Sequence, residues 1–425
     1  MRKTSLETVF HDLDPALRVL SGGDAGLLRL VSGKTVPGAH IIEQYAAVPR
    51  LSDPRALLPL AATALAWPAI LGQHAAGAAN PIARAAARIL EIASKFGMAP
   101  LFLRDRVSVV ANASDLLHTP LHDFLGDVLG RRDFFTSFRI APRRPNGKPV
   151  VQAVAHDGTV LAYAKFGWEK LTRRLVQHEA AVLDELAPLT RGTALHVPKI
   201  IYKGAWHGFE TLVVAPLSDG GRTPRTLLDL PLAAADAMGN LRPERCERLG
   251  DSAFWRRTTT QAALLAPMLG MHACGVVLQA CSAIEERWGD VRLQIGQSHG
   301  DWIPPNISIR PDAGFNVWDW ERSEDDIPLG IDTMQFILFL EARRHTLDRR
   351  PGWRALARGR EALRDHGLQK KQVTLLTCLS LLRSILWFGE AREAGRDEDE
   401  DQQFVMMLEE CLYSNPDKAS VPSAS

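Results

Sequence analysis

Residues 299–321 read HGDWIPPNISIRPDAGFNVWDWE, and this stretch is the part of the sequence that says most about the fold. Asn306 stands five residues after Asp301. Asp319 stands thirteen residues after Asn306, inside the apolar-flanked run FNVWDWE. A loop, a tight hairpin and a second loop would bring these three oxygen-bearing side chains together. Gly300 gives the first loop the backbone freedom that such a turn needs.

The three side chains match what phosphoryl transfer from a nucleotide requires. That reaction needs positioning, Mg²⁺ held by hard oxygen ligands, and a carboxylate that takes the proton of the acceptor hydroxyl. We expect Asp301 to be the base, Asn306 to be a metal ligand, and Asp319 to hold Mg²⁺ against the phosphates. A lone loop aspartate would more simply be a turn former, and it is the spaced set that favours chemistry.

The pattern HGDxxxxN, followed by an aspartate after an apolar strand, resembles the aminoglycoside phosphotransferase and choline kinase-like family. These are small-molecule kinases with the protein-kinase fold. The resemblance covers about residues 133–390, and it implies ATP or GTP and Mg²⁺ as cofactors. It also implies that His299 braces the catalytic loop rather than acting as a base. It gives Asp332 a similar bracing role, although a plain helix N-cap explains Asp332 equally well.

Upstream of this stretch, the sequence predicts a small sheet crossed by one helix. Residues 133–167 read as three consecutive antiparallel strands separated by Asn-Gly and Asp-Gly turns. A helix is expected over 168–186, followed by two strands within 197–217. Beyond Pro216 the chain reads as mainly helical, with an irregular segment over 296–331.

A buried ion pair is predicted between the third of these strands and the helix. Lys165 stands inside the apolar strand LAYAKFG, where an unpaired ammonium group would be costly. At about 100° per residue, Glu179 falls in the middle of the apolar face of the helix. The pair resembles the lysine–glutamate pair that positions nucleotide phosphates in kinases. The alternative is that Lys165 is an edge-strand lysine that extends to solvent.

Other nucleotide-contacting positions are less distinctive. No GxGxxG motif is present, so the first hairpin offers only a turn with Asn146, Gly147 and Lys148 to cover phosphates. An ordinary hairpin is an equal alternative. The run LVVAP, with Val214 and Pro216, would link the two lobes and offer backbone groups to adenine.

The predicted class is therefore α+β, with the two lobes of a protein kinase-like fold and an accessory α+β region. The expected domains are an N-terminal accessory domain (1–130), a kinase-like N-lobe (131–216), a helical C-lobe (217–412) and a disordered tail (413–425). Within the accessory domain we expect a helix from Pro81 to Phe96. Residues 56–82 read as a buried Ala-rich helical segment rather than a membrane span, because three prolines interrupt them.

Composition excludes several classes of function. The net charge of +1 provides no global basic field, so no nucleic-acid partner is expected. The five cysteines are scattered without a CxxC motif, which is typical of buried thiols in a reducing compartment. No apolar segment follows the basic residues at the N-terminus, so no secretory signal is expected. Together these features predict a cytoplasmic protein.

The leading functional hypothesis is a kinase that phosphorylates a hydroxyl of a small molecule such as a sugar. Gly300 stands where protein kinases carry an arginine, and the span from Asp319 to Asp332 is too short to dock a peptide. Residues 217–258, the segment expected to bind the acceptor, carry nearly balanced charge, which argues against a polycationic aminoglycoside. The alternative is a nucleotide-binding pseudokinase or scaffold without turnover.

Overall fold

The computed structural model describes residues 13–32, 40–76, 92–93, 96, 98, 103, 105–111, 116–140, 147–217, 221–243, 245–344, 351–364, 367–393 and 401–413. The chain forms two compact units. One comprises Met1–Ala187 with Pro198–Ser218, and the other comprises Pro188–Val197 with Asp219–Ser425. The predicted α+β class, with a sheet-rich part followed by a helix-rich part, is confirmed.

The first unit is built on one large antiparallel sheet. Its helices are α1 (Asp14–Leu20), α2 (Trp67–Ala76), α3 (Pro120–Leu129) and α4 (Lys170–Leu189), the last two residues of α4 falling in the second unit. Its strands are β1 (Leu28–Ser32), β2 (His40–Arg50), β3 (Asp53–Pro59), β4 (Arg106–Ala111), β5 (Phe134–Arg139), β6 (Val150–Ala155), β7 (Val160–Gly167), β9 (Ile200–Trp206) and β10 (Phe209–Val214).

The strand order in this sheet is β1-β4-β2-β3-β5-β6-β7-β10-β9. All three strands predicted over 133–167 are present, as are the two predicted over 197–217. β3 pairs with β5 through Ala56 and Leu57, so one sheet runs across residue 130. A shared core supports it, in which Leu13, Tyr45, Phe138, Phe166 and Val213 are buried.

The second unit is mainly helical. Its helices are α5 (Leu232–Gly239), α6 (Ala253–Leu265), α7 (Met271–Trp288), α8 (Ile331–Arg344), α9 (Pro351–Ala362), α10 (Lys370–Glu393) and α11 (Asp401–Tyr413). Its short strands are β8 (Leu195–His196), β11 (Arg245–Arg248), β12 (Arg292–Ser298), β13 (Ile307–Ile309), β14 (Phe315–Val317) and β15 (Glu324–Pro328). They form two three-stranded sheets, ordered β11-β12-β15 and β13-β14-β8.

Helix α10 lies at the centre of this unit. Leu379 and Leu382 are fully buried, and they share a core with Trp255, Ile337 and Leu408 of other helices. Within the described chain, α10 is the one helix long and apolar enough to cross a membrane, and 83% of its most apolar window is buried inside the protein. That burial is typical of the core helix of a globular unit.

Three sequence interpretations differ from the structure or fall outside it. Residues 56–59 belong to β3 rather than to a helix, and helix α2 begins only at Trp67. The segment 296–331 contains strands instead of being irregular, because strands of three residues are too short for an alternating pattern to reveal. The tail from residue 414 onward, and most of the helix predicted from Pro81 to Phe96, lie outside the described residues. The domain boundaries after residues 130 and 216 stay predictions.

Candidate active site

Asp332, in the first turn of α8, holds the loop that follows β12. One carboxylate oxygen accepts hydrogen bonds from the Ser298 hydroxyl at 2.9 Å and from the Gly300 amide at 3.2 Å. The other accepts the His299 amide at 2.9 Å. Asp332 is 5% exposed, so these bonds form away from water and are correspondingly strong. The loop is thereby attached to a helix at three consecutive residues.

His299 is fully buried, and its two ring nitrogens have different partners. Nδ1 accepts a hydrogen bond from the Asp301 amide at 3.2 Å, and Nε2 lies 3.0 Å from the Trp318 carbonyl oxygen. A carbonyl can only accept, so the proton belongs on Nε2 and the ring is neutral. Burial lowers the pKa of His299 and favours the same neutral form. This geometry suits a bracing role.

Gly300 occupies a position that requires glycine. Its φ is 80°, in the left-handed region, and a Cβ placed there would clash with the carbonyl oxygen of Arg322. Gln335, one turn after Asp332 in α8, holds the loop from its other side. Its amide nitrogen donates to the Gly300 carbonyl at 3.0 Å, and its amide oxygen accepts from the Trp302 amide at 2.8 Å.

Asp301 and Asn306 are joined directly. The Asn306 side-chain nitrogen donates to the backbone carbonyl of Asp301 and to its carboxylate Oδ2, each at 2.9 Å. Asn306 ends the single 3-10 turn Pro304–Asn306 and is 6% exposed. Because its nitrogen is committed to Asp301, the amide oxygen is the Asn306 atom suited to a cation.

The hairpin of β13 and β14 brings Asp319 back to this loop. Ile307 pairs with Val317, and the Trp318 amide donates to the Asn306 carbonyl at 3.2 Å. This pairing explains the spacing of thirteen residues, since the chain must run out along one short strand and return along the next. Asp319 has a φ of 72°, which is uncommon for a residue other than glycine.

Asp319 and Glu321 place negative charge near the Asp301 carboxylate. Burial is the main cause that raises the pKa of Asp301 to about 7, and the charges of Asp319 and Glu321 add to it. The hydrogen bond from Asn306 and the charge of Arg322 oppose the rise. Carboxylate oxygens of Asp319 and Glu321 come within 4.8 Å of each other. Crowded carboxylates of this kind, together with an amide oxygen, form the donor set that Mg²⁺ prefers.

In the first unit, Lys165 and Glu179 form the predicted ion pair. The Lys165 ammonium donates to both Glu179 carboxylate oxygens, at 2.8 and 2.6 Å. Their side chains are 12% and 3% exposed. Lys165 stands in β7, between Val150 of β6 and Leu212 of β10, so this is not an edge-strand lysine.

The other described residues that were predicted to contact the nucleotide lie just before β6 or at the end of β10 and beyond it. Gly147 and Lys148 precede β6, and Lys148 is only 6% exposed; Asn146 lies outside the described residues. Val214 ends β10 and pairs with Tyr163, and Pro216 follows as a half-buried residue. The nucleotide-binding role of these residues stays a prediction.

Three residues at the site were missed by the sequence interpretation: Glu321, Arg322 and Gln335. Glu321 is 5% exposed, and the D-x-E spacing that places it beside Asp319 could have been noticed. Gln335 follows Asp332 by one helical turn, which is also visible in sequence. Nothing in the sequence around Arg322 indicates its place at the site, because that place depends on the close approach of its carbonyl oxygen to Gly300, which is a tertiary contact.

No protein-family model matches the chain, and no curated protein matches it by sequence. Solved structures do match. The choline kinase LicA from Streptococcus pneumoniae is 16% identical with a TM-score of 0.47, over 68% of this chain and 97% of that one. A thermostable mutant of aminoglycoside phosphotransferase APH(4)-Ia, with ADP and hygromycin B, is 12% identical with a TM-score of 0.49, over 69% and 98%.

An ethanolamine kinase from Plasmodium vivax also matches, at 12% identity and a TM-score of 0.46, over 65% of this chain and 81% of that one. All three are kinases of small molecules, the kind of protein that the HGDxxxxN pattern resembles.

Proposed function

We propose that this protein transfers the γ-phosphoryl group of ATP, or of GTP, to a hydroxyl group of a small molecule. The observation that carries the proposal is the geometry of Asp301. Its carboxylate is held by Asn306 at 2.9 Å, in a loop that Asp332 and Gln335 fasten to α8. A carboxylate oriented from several sides, next to further acidic groups, suits a base for phosphoryl transfer.

In the proposed reaction Asp301 receives one proton. The acceptor oxygen forms a bond to the γ-phosphorus, and the bond from that phosphorus to the β–γ bridging oxygen breaks, releasing the nucleoside diphosphate. The acceptor's hydroxyl proton passes to the Asp301 carboxylate. Oδ2 is engaged by Asn306, while Oδ1 accepts no hydrogen bond from the described residues, so we assign the proton to Oδ1.

Magnesium would be held by Asp319 and by the amide oxygen of Asn306, and when bound it would neutralise phosphate charge. The φ of 72° at Asp319 sets the direction in which its carboxylate leaves the backbone. Asn306 orients Asp301 with its nitrogen, so one amide would serve both the base and the cation. His299 and Asp332 contribute by fixing the loop.

Lys165 is assigned to the α- and β-phosphates of the nucleotide. An ammonium group 12% exposed and paired with a carboxylate 3% exposed is held in one position, which suits an anion-binding role. Gly147 and Lys148 before β6, and the backbone at Val214 and Pro216 after β10, are assigned to further nucleotide contacts, together with Asn146.

We assign the acceptor to small hydroxylated metabolites such as sugars, and we place the protein in the cytoplasm. All five cysteines are free thiols, as a reducing compartment would maintain them. β15 follows only a few residues after Asp319, so little chain is available there to dock a peptide.

The test is an ADP-release assay on purified protein with MgATP and a panel of sugars, amino alcohols, aminoglycosides and a generic protein substrate. Mass spectrometry then checks for a phosphorylated product. We expect turnover with a sugar or related metabolite, and its loss in Asp301→Asn. Tight MgATP binding without turnover on any acceptor would instead favour a pseudokinase, and the absence of nucleotide binding would contradict the proposal entirely.

A further inference from the structure

One face of α10 contacts the segment that follows Asp319. Arg383, Trp387 and Glu390 are spaced by four and three residues, which places them on the same side of the helix. Nη2 of Arg383 donates to Glu324 Oε1 at 2.8 Å. The other two contact Arg322: its guanidinium carbon lies 5.2 Å from the centre of the Trp387 ring, and its Nη1 donates to Glu390 Oε2.

The contacts of Arg322 are shielded from water. The Arg322 and Glu390 side chains are 15% and 14% exposed. An ion pair so shielded differs from a surface pair, because removing one partner leaves the other charge poorly solvated. Stacking on Trp387 further restricts the guanidinium group, since a cation over an aromatic face is attracted to it. The Arg322 side chain therefore has little freedom.

The backbone of Arg322 lies against the catalytic loop. Its carbonyl oxygen fills the space that a side chain at Gly300 would need. Next to it, the Ser323 hydroxyl donates to the Ser298 carbonyl at 2.6 Å. The Arg322 carbonyl oxygen and the Ser323 side chain thus contact the loop on both sides of His299, a few residues after Asp319.

We propose that Arg322 is a positioning residue: the hold of Trp387 and Glu390 on its side chain fixes the backbone on which the catalytic loop and Asp319 depend. This inference rests on the proposed function, since it concerns the same site. The clamp, meaning Arg322, Trp387 and Glu390, connects α10 to the backbone that follows Asp319 and that contacts Gly300. Displacing a reacting group by about 1 Å can cost on the order of 10²-fold in rate, so loosening the clamp should affect kcat.

A matched control exists in the same unit. Glu341 of α8 and Arg354 of α9 form another ion pair, with Glu341 Oε2 3.3 Å from Arg354 Nε; the glutamate side chain is 4% exposed and the arginine side chain 35%. The pair joins two helices, and the Glu341 carboxylate makes no hydrogen bond to the catalytic loop among the described residues. Glu341→Gln therefore removes the charge of a buried carboxylate that is paired with an arginine, without loosening the clamp.

The experiment compares Arg322→Ala, Arg322→Lys, Glu390→Gln and the exchanged pair Arg322→Glu with Glu390→Arg against Glu341→Gln. Hydrogen exchange, followed by mass spectrometry, measures protection of amides in residues 296–306. Thermal unfolding gives the stability of each variant. Steady-state kinetics with MgATP and the acceptor found in the panel give kcat and KM.

We expect Arg322→Ala and Glu390→Gln to speed exchange in 296–306 by about tenfold or more, as local opening becomes easier. We expect kcat to fall by ~10–10²-fold with little change in KM for ATP, since positioning rather than binding is lost. Arg322→Lys should retain part of the activity, and the exchanged pair should recover part of it. Glu341→Gln should lower stability alone.

The inference is overturned if Arg322→Ala keeps wild-type exchange in 296–306 while losing stability to the same extent as Glu341→Gln. It is equally overturned if kcat is unchanged in an active enzyme. If the wild-type protein shows no turnover, the proposed function fails, and the exchange measurement still decides whether the clamp holds the loop.

Discussion

The side-chain amide of Asn306 donates to both the backbone carbonyl and the carboxylate of Asp301, each at 2.9 Å. These bonds close a small ring around the intervening loop, so the two residues form one rigid unit. Asp332 then fastens the preceding residues to α8 through three further hydrogen bonds. The base and the metal ligand of the proposed reaction are therefore held as a pair.

Asp301→Asn should lower kcat by about 10²–10⁴-fold while leaving nucleotide affinity near that of the wild type, because the amide cannot accept the proton. Steady-state assays and nucleotide titrations measure the two effects. Asp312→Asn is the matched control, since this aspartate is 57% exposed and bonded to Arg310 in the β13–β14 turn. Full activity in Asp301→Asn would remove the proposed mechanism.

Asp319→Ala should abolish the dependence of nucleotide binding on Mg²⁺, because it removes the carboxylate assigned to the cation. Asn306→Ala should weaken that dependence less, since a neutral amide contributes less charge. Calorimetric titrations with ATP in Mg²⁺ and in EDTA would separate these outcomes. Asp290→Ala, whose carboxylate is 98% exposed, is the control. If the wild-type protein binds ATP equally well in EDTA and in Mg²⁺, the result would favour a metal-free pseudokinase.

Lys165→Met and Glu179→Gln should be strongly non-additive in kcat/KM, with a coupling energy of ~0.5–3 kcal/mol, because each change removes the ionic partner that the other group contacts in a largely buried position. A double-mutant cycle measures the coupling. Lys203 and Asp184 form a salt bridge in the same unit, with side chains 52% and 46% exposed, and their cycle should be additive. Additivity at Lys165 and Glu179 would mean that the pair does not act together in catalysis.

Gly300→Ala should lower stability by more than ~1 kcal/mol and reduce kcat, because φ is 80° and the new Cβ meets the Arg322 carbonyl. Gly275→Ala tests the opposite case. Gly275 lies inside α7 with open space where its Cβ would stand, so alanine should stabilise the protein by about 0.5–1 kcal/mol. Denaturant unfolding measures both. Similar shifts of the same sign in the two variants would contradict the close approach.

The KM of the true acceptor should change little between low and high salt. Charges are nearly balanced in residues 217–258, the segment that the sequence predicts to bind the acceptor. Recognition should then depend on hydrogen bonds to hydroxyl groups, which salt does not screen. The measurement is KM at two salt concentrations for each acceptor in the panel that turns over. If aminoglycosides are the best acceptors and their turnover falls sharply at high salt, the acceptor site is acidic instead.

The sequence indicated much of the candidate site because the relevant signals are local. The spacings from Asp301 to Asn306 and on to Asp319 reflect one turn and one hairpin, and both lie within a short stretch of chain. Lys165 and Glu179 could be paired in advance because an unpaired lysine inside an apolar strand is costly, and because helical periodicity places Glu179 on the apolar face of its helix. The pair then forms at 2.8 and 2.6 Å.

Parts of the fold lacked such local signals. Strands β2 and β3 carry prolines at or near their ends, which reads as evidence against strands, yet both join the sheet. The pairing of β3 with β5 joins residues more than eighty positions apart. No periodicity within either strand specifies that partner.

The sequence alone determined which residue types could perform the chemistry and in what order they occur, because turn residues and side-chain periodicity act over short distances. Only the tertiary structure decided what holds them. Gln335, Arg322 and Glu390 contact the loop or its support across 35, 22 and 68 positions, respectively: Gln335 from Gly300, Arg322 from Gly300, and Glu390 from Arg322. Contacts of that range depend on how α8 and α10 pack in the core, which is set by the sum of many weak apolar contacts rather than by any motif.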